Sequence, residues 1–199
     1  MLGLPESTEV KRVLPKSQIY QKFELKASRR EAFDADVAKM EIVNFISPQT
    51  VPGISEGEEV KAIFAIEVEL KRKEYDNKNI ILISKLIPQK IIFILKYNEI
   101  TQLAIFHSKL FTRDWQRSEI NIPLTGLNLD MLWNSLVSFI GELKIEEGNT
   151  LTEQIKLDDE RSKILKQIEL LEKQMRSIEQ PRRQRAIYSE IKRLKKKLN

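Results

Sequence analysis

The period of the apolar residues changes several times along this chain, and each change marks an element. Residues 1–16 hold Pro5 and Pro15 and little periodicity, which predicts an extended arm. A short helix is expected next, with Ser17 as N-cap and Ile19, Tyr20 and Phe23 on its apolar side. In SRREAFDADVAKM, Ser28 and Glu31 have the S-x-x-E spacing of a capping box. Phe33, Val37 and Met40 recur there at helical intervals, so the helix is predicted to run on to Met40.

The pattern then becomes β-like. EIVNFIS reads as a strand ended by Pro48, and SPQTVPGISEGEE, with two prolines and two glycines, reads as a loop. VKAIFAIEVELKRK gives the clearest alternation: Ile66, Val68 and Leu70 point one way, Glu67, Glu69 and Lys71 the other. A helix is predicted from Asn77 to Ile87, capped by Asp76 or Asn77 and stopped by Pro88. KIIFILKY is apolar on both faces and belongs at the centre of a sheet. The turn NE joins it to ITQLAIFHS as a hairpin, and KLFTRDW is an edge strand. A last helix, capped near Asn128, carries Leu132, Leu136, Phe139 or Ile140, and Leu143. Residues 1–145 are thus expected to form an α+β body, a mostly antiparallel sheet covered by helices, with the N-terminal arm.

KIEEGNT is the expected hinge to a second region, residues 150–199. Leu157, Ile164, Ile168, Leu171, Met175 and Ile178 follow a heptad seam that only Arg161 interrupts. Pro181 cannot continue a helix interior but suits the first turn of a new one. Ile187, Ile191, Leu194 and Leu198 resume the spacing, so the two segments should fold back as an antiparallel helical (coiled-coil) hairpin. A hairpin of this size buries little by itself and is expected to pack on the body, on a partner or on its copy in another chain.

Charge sharpens this picture. From Pro181 onward eight Lys and Arg face one acid, Glu190, a net of +7 in a chain of +5. Everything before Pro181 therefore sums to −2. The cluster comprises Arg182, Arg183, Arg185, Lys192, Arg193, Lys195, Lys196 and Lys197. Such a cluster suits phosphates of DNA or RNA, with the arginines at the expected tip best able to grip them. It equally suits a solvated coiled-coil face, with the late lysines balancing Glu153, Asp158, Asp159, Glu160 and Glu169. Tyr188 is the one aromatic among these cations, too little to argue base stacking from sequence.

Composition excludes much else. There is no cysteine, hence no disulfide, thiol chemistry or cysteine-bound zinc, which fits a reducing, cytoplasmic location. No apolar run approaches the roughly 18 residues of a membrane span, and MLGLPESTEVKR lacks the pattern of a secretory signal. His107 is the single histidine, so no multi-histidine metal site exists, and a core or surface role is expected for it. Asp34 and Asp36 diverge by about 200° on a helix. G-x-x-x-x-G-K-[ST], G-x-G-x-x-G and G-x-S-x-G are all absent, and no cofactor or metal is expected. The remaining catalytic pattern is EVELK. Metal-dependent nucleases of the restriction type place E-x-K on a core strand, where Glu67 and Glu69 would hold a divalent cation and Lys71 would steady the attacking water. The upstream metal acid such sites need is not convincing here, and the competing reading is an amphipathic strand with alternating charge.

LPESTEVKRVLPKSQIY, ISPQT, EVELK, IPQKIIFIL, GLNLD and QPRRQ…EIKRLKKKL together resemble an uncharacterised bacterial and archaeal family, known as a domain of unknown function. Its members are encoded beside helicase and DNA-methyltransferase genes in restriction or phage-defence loci. The resemblance spans nearly the whole chain. It implies a cytoplasmic accessory protein of a DNA-handling system and supplies no catalytic residue, so the leading expectation is a non-enzymatic accessory subunit whose body docks a larger helicase or methyltransferase subunit and whose hairpin mediates assembly or touches DNA. The rival expectations are a small metal-dependent nuclease and a plain coiled-coil oligomerisation module.

Overall fold

The computed structural model describes residues 3–115, 120–178 and 180–198, with the side chain of Trp115 excepted. The chain divides into two compact units, Met1–Leu143 and Lys144–Asn199. The first is built on a six-stranded sheet in the order β1-β2-β3-β4-β5-β6: β1 (Glu9–Val13), β2 (Val37–Ile46), β3 (Ile63–Leu70), β4 (Lys90–Tyr97), β5 (Ile100–Phe106) and β6 (Leu110–Trp115). Every neighbouring pair is antiparallel except β3 and β4, which run parallel and are joined by helix α3 (Asn77–Ser84). The fold is α+β.

Helix α1 (Lys16–Lys22), helix α2 (Ala27–Asp36) and α3 supply Ile19, Phe33, Ile80 and Ile83 to one face of this sheet. They meet Met40, Ile42, Ile66, Val68, Phe93 and Leu95 there. Helix α4 (Leu129–Gly141) packs against β5 and β6 and buries Leu132, Trp133, Leu136, Val137 and Ile140. KIIFILKY, apolar on both faces, lies in the middle because each face receives helices.

Several local expectations are corrected. The N-terminal arm contains β1, since Pro5 and Pro15 bracket residues 9–13 rather than interrupt them, leaving their amides able to pair with β2. Its charged residues Glu9, Lys11 and Arg12 are exposed, as suits a sheet edge. Pro15, not Ser17, is the N-cap of α1. Lys26 is the N-cap of α2, so Ser28 lies within the first turn and the predicted capping box does not form. That helix ends at Asp36 instead of Met40. Val37 and Met40 mimic helical spacing because a bulge between Val37 and Lys39 turns both to the same face of β2. The cap of α3 is as expected: the Asp76 carboxylate accepts from Lys78 N at 2.9 Å. Asn128 likewise caps α4 through Met131 N at 2.9 Å. Leu143 falls beyond that helix, which closes with Glu142 in the left-handed region at φ 50°.

Two carboxylates pin these joints. The Asp36 carboxylate, at 1% exposure, accepts from the Arg72 guanidinium, from Asp76 N at 2.9 Å and from Asn79 Nδ2 at 2.6 Å. It ties the end of α2 to the turn between β3 and α3. Asp130 does the same for the loop before β3. Its carboxylate accepts from Glu58 N at 2.5 Å and Val60 N at 2.8 Å, with Glu59 N at 3.3 Å. Desolvation pushes this carboxyl up, but the three amides and Lys61 outweigh it and hold it below its ordinary value. Position 57 suits glycine, because a Cβ there would lie 2.3 Å from Asp130 Oδ1.

Candidate nucleic-acid interface

The second unit is a pair of helices, α5 (Leu151–Ser177) and α6 (Pro181–Lys195). Thr150 and Glu153 form a reciprocal capping box that starts α5: Thr150 N donates to Glu153 Oε2 at 2.8 Å, and Glu153 N to Thr150 Oγ1 at 3.3 Å. Pro181 takes the first turn of α6, where its missing N–H has no consequence. The joint is short, and Glu172 on α5 meets Lys195 near the end of α6 at 3.1 Å, so the helices run antiparallel.

The seam holds them by apolar packing. Ile168, Ile191 and Leu194 are buried, and Ile164, Leu171, Met175, Ile187 and Leu198 pack around them. Two predicted members do not belong. Leu157 is exposed, while the first turns of α5 bury Leu151 and Ile155 instead. Ile178 lies past the last turn as the C-cap of α5 and outside the cluster. Arg161, which breaks the heptad, turns to the hinge and pairs with Glu146 at 2.8 Å.

With the seam on one side of α6, its cations fall on the others. All eight basic residues from Arg182 to Lys197 are exposed. Arg193 pairs with Glu190 at 2.7 Å, and Lys195 with Glu172. The side chains of Arg182, Arg183, Arg185, Lys192, Lys196 and Lys197 have no hydrogen bond or ion pair among the described residues. At about 100° per residue, Arg182, Arg185, Lys192, Arg193 and Lys196 lie on the side opposite Ile187, Ile191 and Leu194. They form a basic stripe about 21 Å long, taking 1.5 Å of rise per residue. Three of the five acids proposed as balancing partners are engaged elsewhere. Glu153 serves the cap, Asp158 accepts from Gln154 Nε2 at 3.0 Å, and Glu169 pairs with Lys173 at 2.8 Å.

EVELK has a different environment. Glu67 and Glu69 share a face of β3 with Lys39 and Glu41 of β2 and Lys96 of β4, in register. Lys96 binds Glu67 at 2.6 Å and Lys39 binds Glu41 at 2.9 Å. The Glu41 hydrogen bond, outweighing desolvation, and the charges of Glu41, Glu69 and Glu67 hold the Lys39 ammonium above its ordinary pKa. Lys71 lies past the end of the strand, where its N–H donates to Asp36 O at 2.8 Å. Among the described residues no three His, Asp or Glu side chains are placed to hold a metal ion. The site that sequence reasoning missed is Asp36 with Arg72 and Asn79. Its partners lie 36 and 43 residues away, a distance no local pattern reveals.

His107 is a structural residue. Its Nδ1 accepts from Trp133 Nε1 at 3.2 Å, and Lys90 Nζ sits 5.4 Å from the Trp133 ring centre. Burial and the Lys90 charge push the imidazole pKa down against a smaller pull from Glu59, so it stays neutral and able to accept. Asp34 and Asp36 point to separate partners, Asp34 to Lys16 and Tyr20 at 2.7 Å each. No described helix is long and apolar enough to cross a membrane.

No curated protein and no solved structure matches the chain. A family described as Domain of unknown function (DUF4391) matches residues 2–198, which covers both the sheet body and the hairpin. The protein belongs to that family.

Proposed function

We propose that this protein is a non-enzymatic accessory subunit of a bacterial DNA restriction or phage-defence system, whose hairpin contacts DNA phosphates while its body docks a larger helicase or methyltransferase subunit. The observation that carries the phosphate contact is the set of six exposed cations without a side-chain acceptor, four on α6 and two just past its end. Unpaired arginines and lysines in a row attract a polyanion and release its counterions on binding. Arginine forks suit phosphate oxygens in particular. The docking half rests on the sequence resemblance to a family encoded beside helicase and methyltransferase genes. Copurification of the partner from the native operon tests it.

A salt titration of labelled duplex DNA tests the phosphate contact. With about four contacts the slope of log K against log salt is expected near −3.6. Affinity should be nearly indifferent to sequence, because phosphates carry no base information. Reversing Arg182, Arg183 and Arg185 to Glu should weaken binding by an order of magnitude or more and leave the helicity unchanged. Equal affinities of wild type and the triple variant would overturn the reading.

A further inference from the structure

We infer that the hairpin tip holds an unpaired DNA base, with Tyr188 as its stacking surface and Arg185 on the adjacent phosphate. This rests on the reading above that α6 binds DNA, and it deepens that reading by naming single strands as the preferred form. The tip carries an open groove of about 480 Å³ lined by Met175, Pro181, Gln184, Arg185, Tyr188 and Ser189. That size falls in the roughly 300–1,000 Å³ range of small-ligand sites. Its walls suit a nucleobase: an aromatic ring, a thioether and a proline ring offer flat or soft apolar surface, and the rim is polar.

Tyr188 is the decisive residue. It is 60% exposed and lies outside the apolar cluster that holds the hairpin together. Its neighbour Ile187 serves the seam, so Tyr188 is turned away by about 100° and its ring is not needed for packing. Gln184 closes the joint by donating from Nε2 to Ile178 O at 2.6 Å, which keeps the floor of the groove in place. Arg185 lines the same groove, is exposed, and its guanidinium has no acceptor among the described residues. An aromatic face beside unpaired cations is the arrangement by which proteins take single strands: bases stack while the backbone follows the charge. Bases within a duplex are already stacked on each other and leave Tyr188 without a role, whereas the phosphate contacts serve both forms.

Fluorescence anisotropy on the full chain tests this with labelled single-stranded DNA, its duplex, and RNA of the same sequence. The variants are Tyr188→Ala, Tyr188→Phe and the triple charge reversal, each checked for unchanged helicity. Tyr188→Ala is expected to weaken single-strand binding about 5- to 100-fold and duplex binding less than twofold. Tyr188→Phe keeps the ring and should match wild type on both. Loss of equal size on both forms, or no loss on the single strand, overturns the inference. Tighter binding of RNA than of DNA overturns the assignment to DNA. If the triple variant retains its duplex affinity while Tyr188→Ala loses the single strand, the phosphate reading fails and stacking stands. Absence of binding to all three probes at low salt overturns both.

Discussion

The strand that carries Glu67 and Glu69 and the C-terminal segment from Arg182 to Lys197, α6 and the residues just after it, are both dense in charge, yet their surroundings differ. On the sheet, Lys96 of β4 pairs with Glu67 of β3, and Lys39 pairs with Glu41 within β2, so charges compensate within one face. Along α6 and just past its end, two of eight cations have a carboxylate partner among the described residues, and six have none. Charge density alone therefore does not identify a binding surface; unbalanced charge does. The two units also differ in how they are held. The body encloses large side chains such as Phe33, Phe93 and Trp133 between sheet and helices, whereas the hairpin cluster centres on three buried aliphatic residues. A densely packed, compensated body and a thinly packed, uncompensated hairpin suit different work.

Core truncations should sharpen that contrast most. Phe93→Ala, in the central strand, is expected to cost about 3–5 kcal/mol and to lower the urea midpoint of the body accordingly. Ile168→Ala should cost about 2 kcal/mol, the low end for such a change, because its surroundings are partly solvated and can close in. Its effect should appear as lost helicity and faster proteolysis of residues 151–198, with near-ultraviolet dichroism of Trp133 retained. Unfolding of both units together in Ile168→Ala would break the comparison.

A smaller effect concerns the compensated charge of Asp130. Its carboxyl sits below the ordinary value, so it stabilises the folded state above the unfolded pKa of about 3.9 and loses that contribution as pH falls through the lower folded value. Asp130→Asn should lower the urea midpoint at pH 7, and the gap from wild type should close near pH 2. A gap independent of pH would show that the amide contacts, not the charge, hold residues 58–60. The smallest effects are expected on the EVELK face. Glu69→Ala and Lys71→Ala should each change stability by no more than about 0.5 kcal/mol, as surface substitutions do. Both should leave duplex binding unaltered. Magnesium- or manganese-dependent cleavage of DNA by wild type that disappears in these two variants would overturn the contrast between the two charged surfaces.

Periodicity made most of the elements legible. Alternation placed Ile66, Val68 and Leu70 on one face of β3, and an unbroken apolar run put β4 in the middle. The seam and Pro181 marked two helices and the joint between them, because heptad spacing and proline stereochemistry act within a few residues. The errors came where distant contacts override local spacing. Val37 and Met40 fit a helix until pairing with β3 and a bulge made them strand, and residues 9–13 gained order from the edge of β2. Leu157 kept the heptad interval but not the burial, since a seam ends where the partner helix ends.

The sequence by itself determined the α+β composition, the antiparallel hairpin and the excess of cations at its end, all properties written in the order and period of neighbouring residues. Tertiary structure alone decided which charges meet a partner. Glu67 found Lys96 across the parallel pair β3–β4, Asp36 found Arg72 and Asn79, and Arg182, Arg183 and Arg185 found no described acceptor. The physical reason is that ion pairing depends on separations of a few ångströms between residues tens of positions apart, and only the folded chain sets those separations.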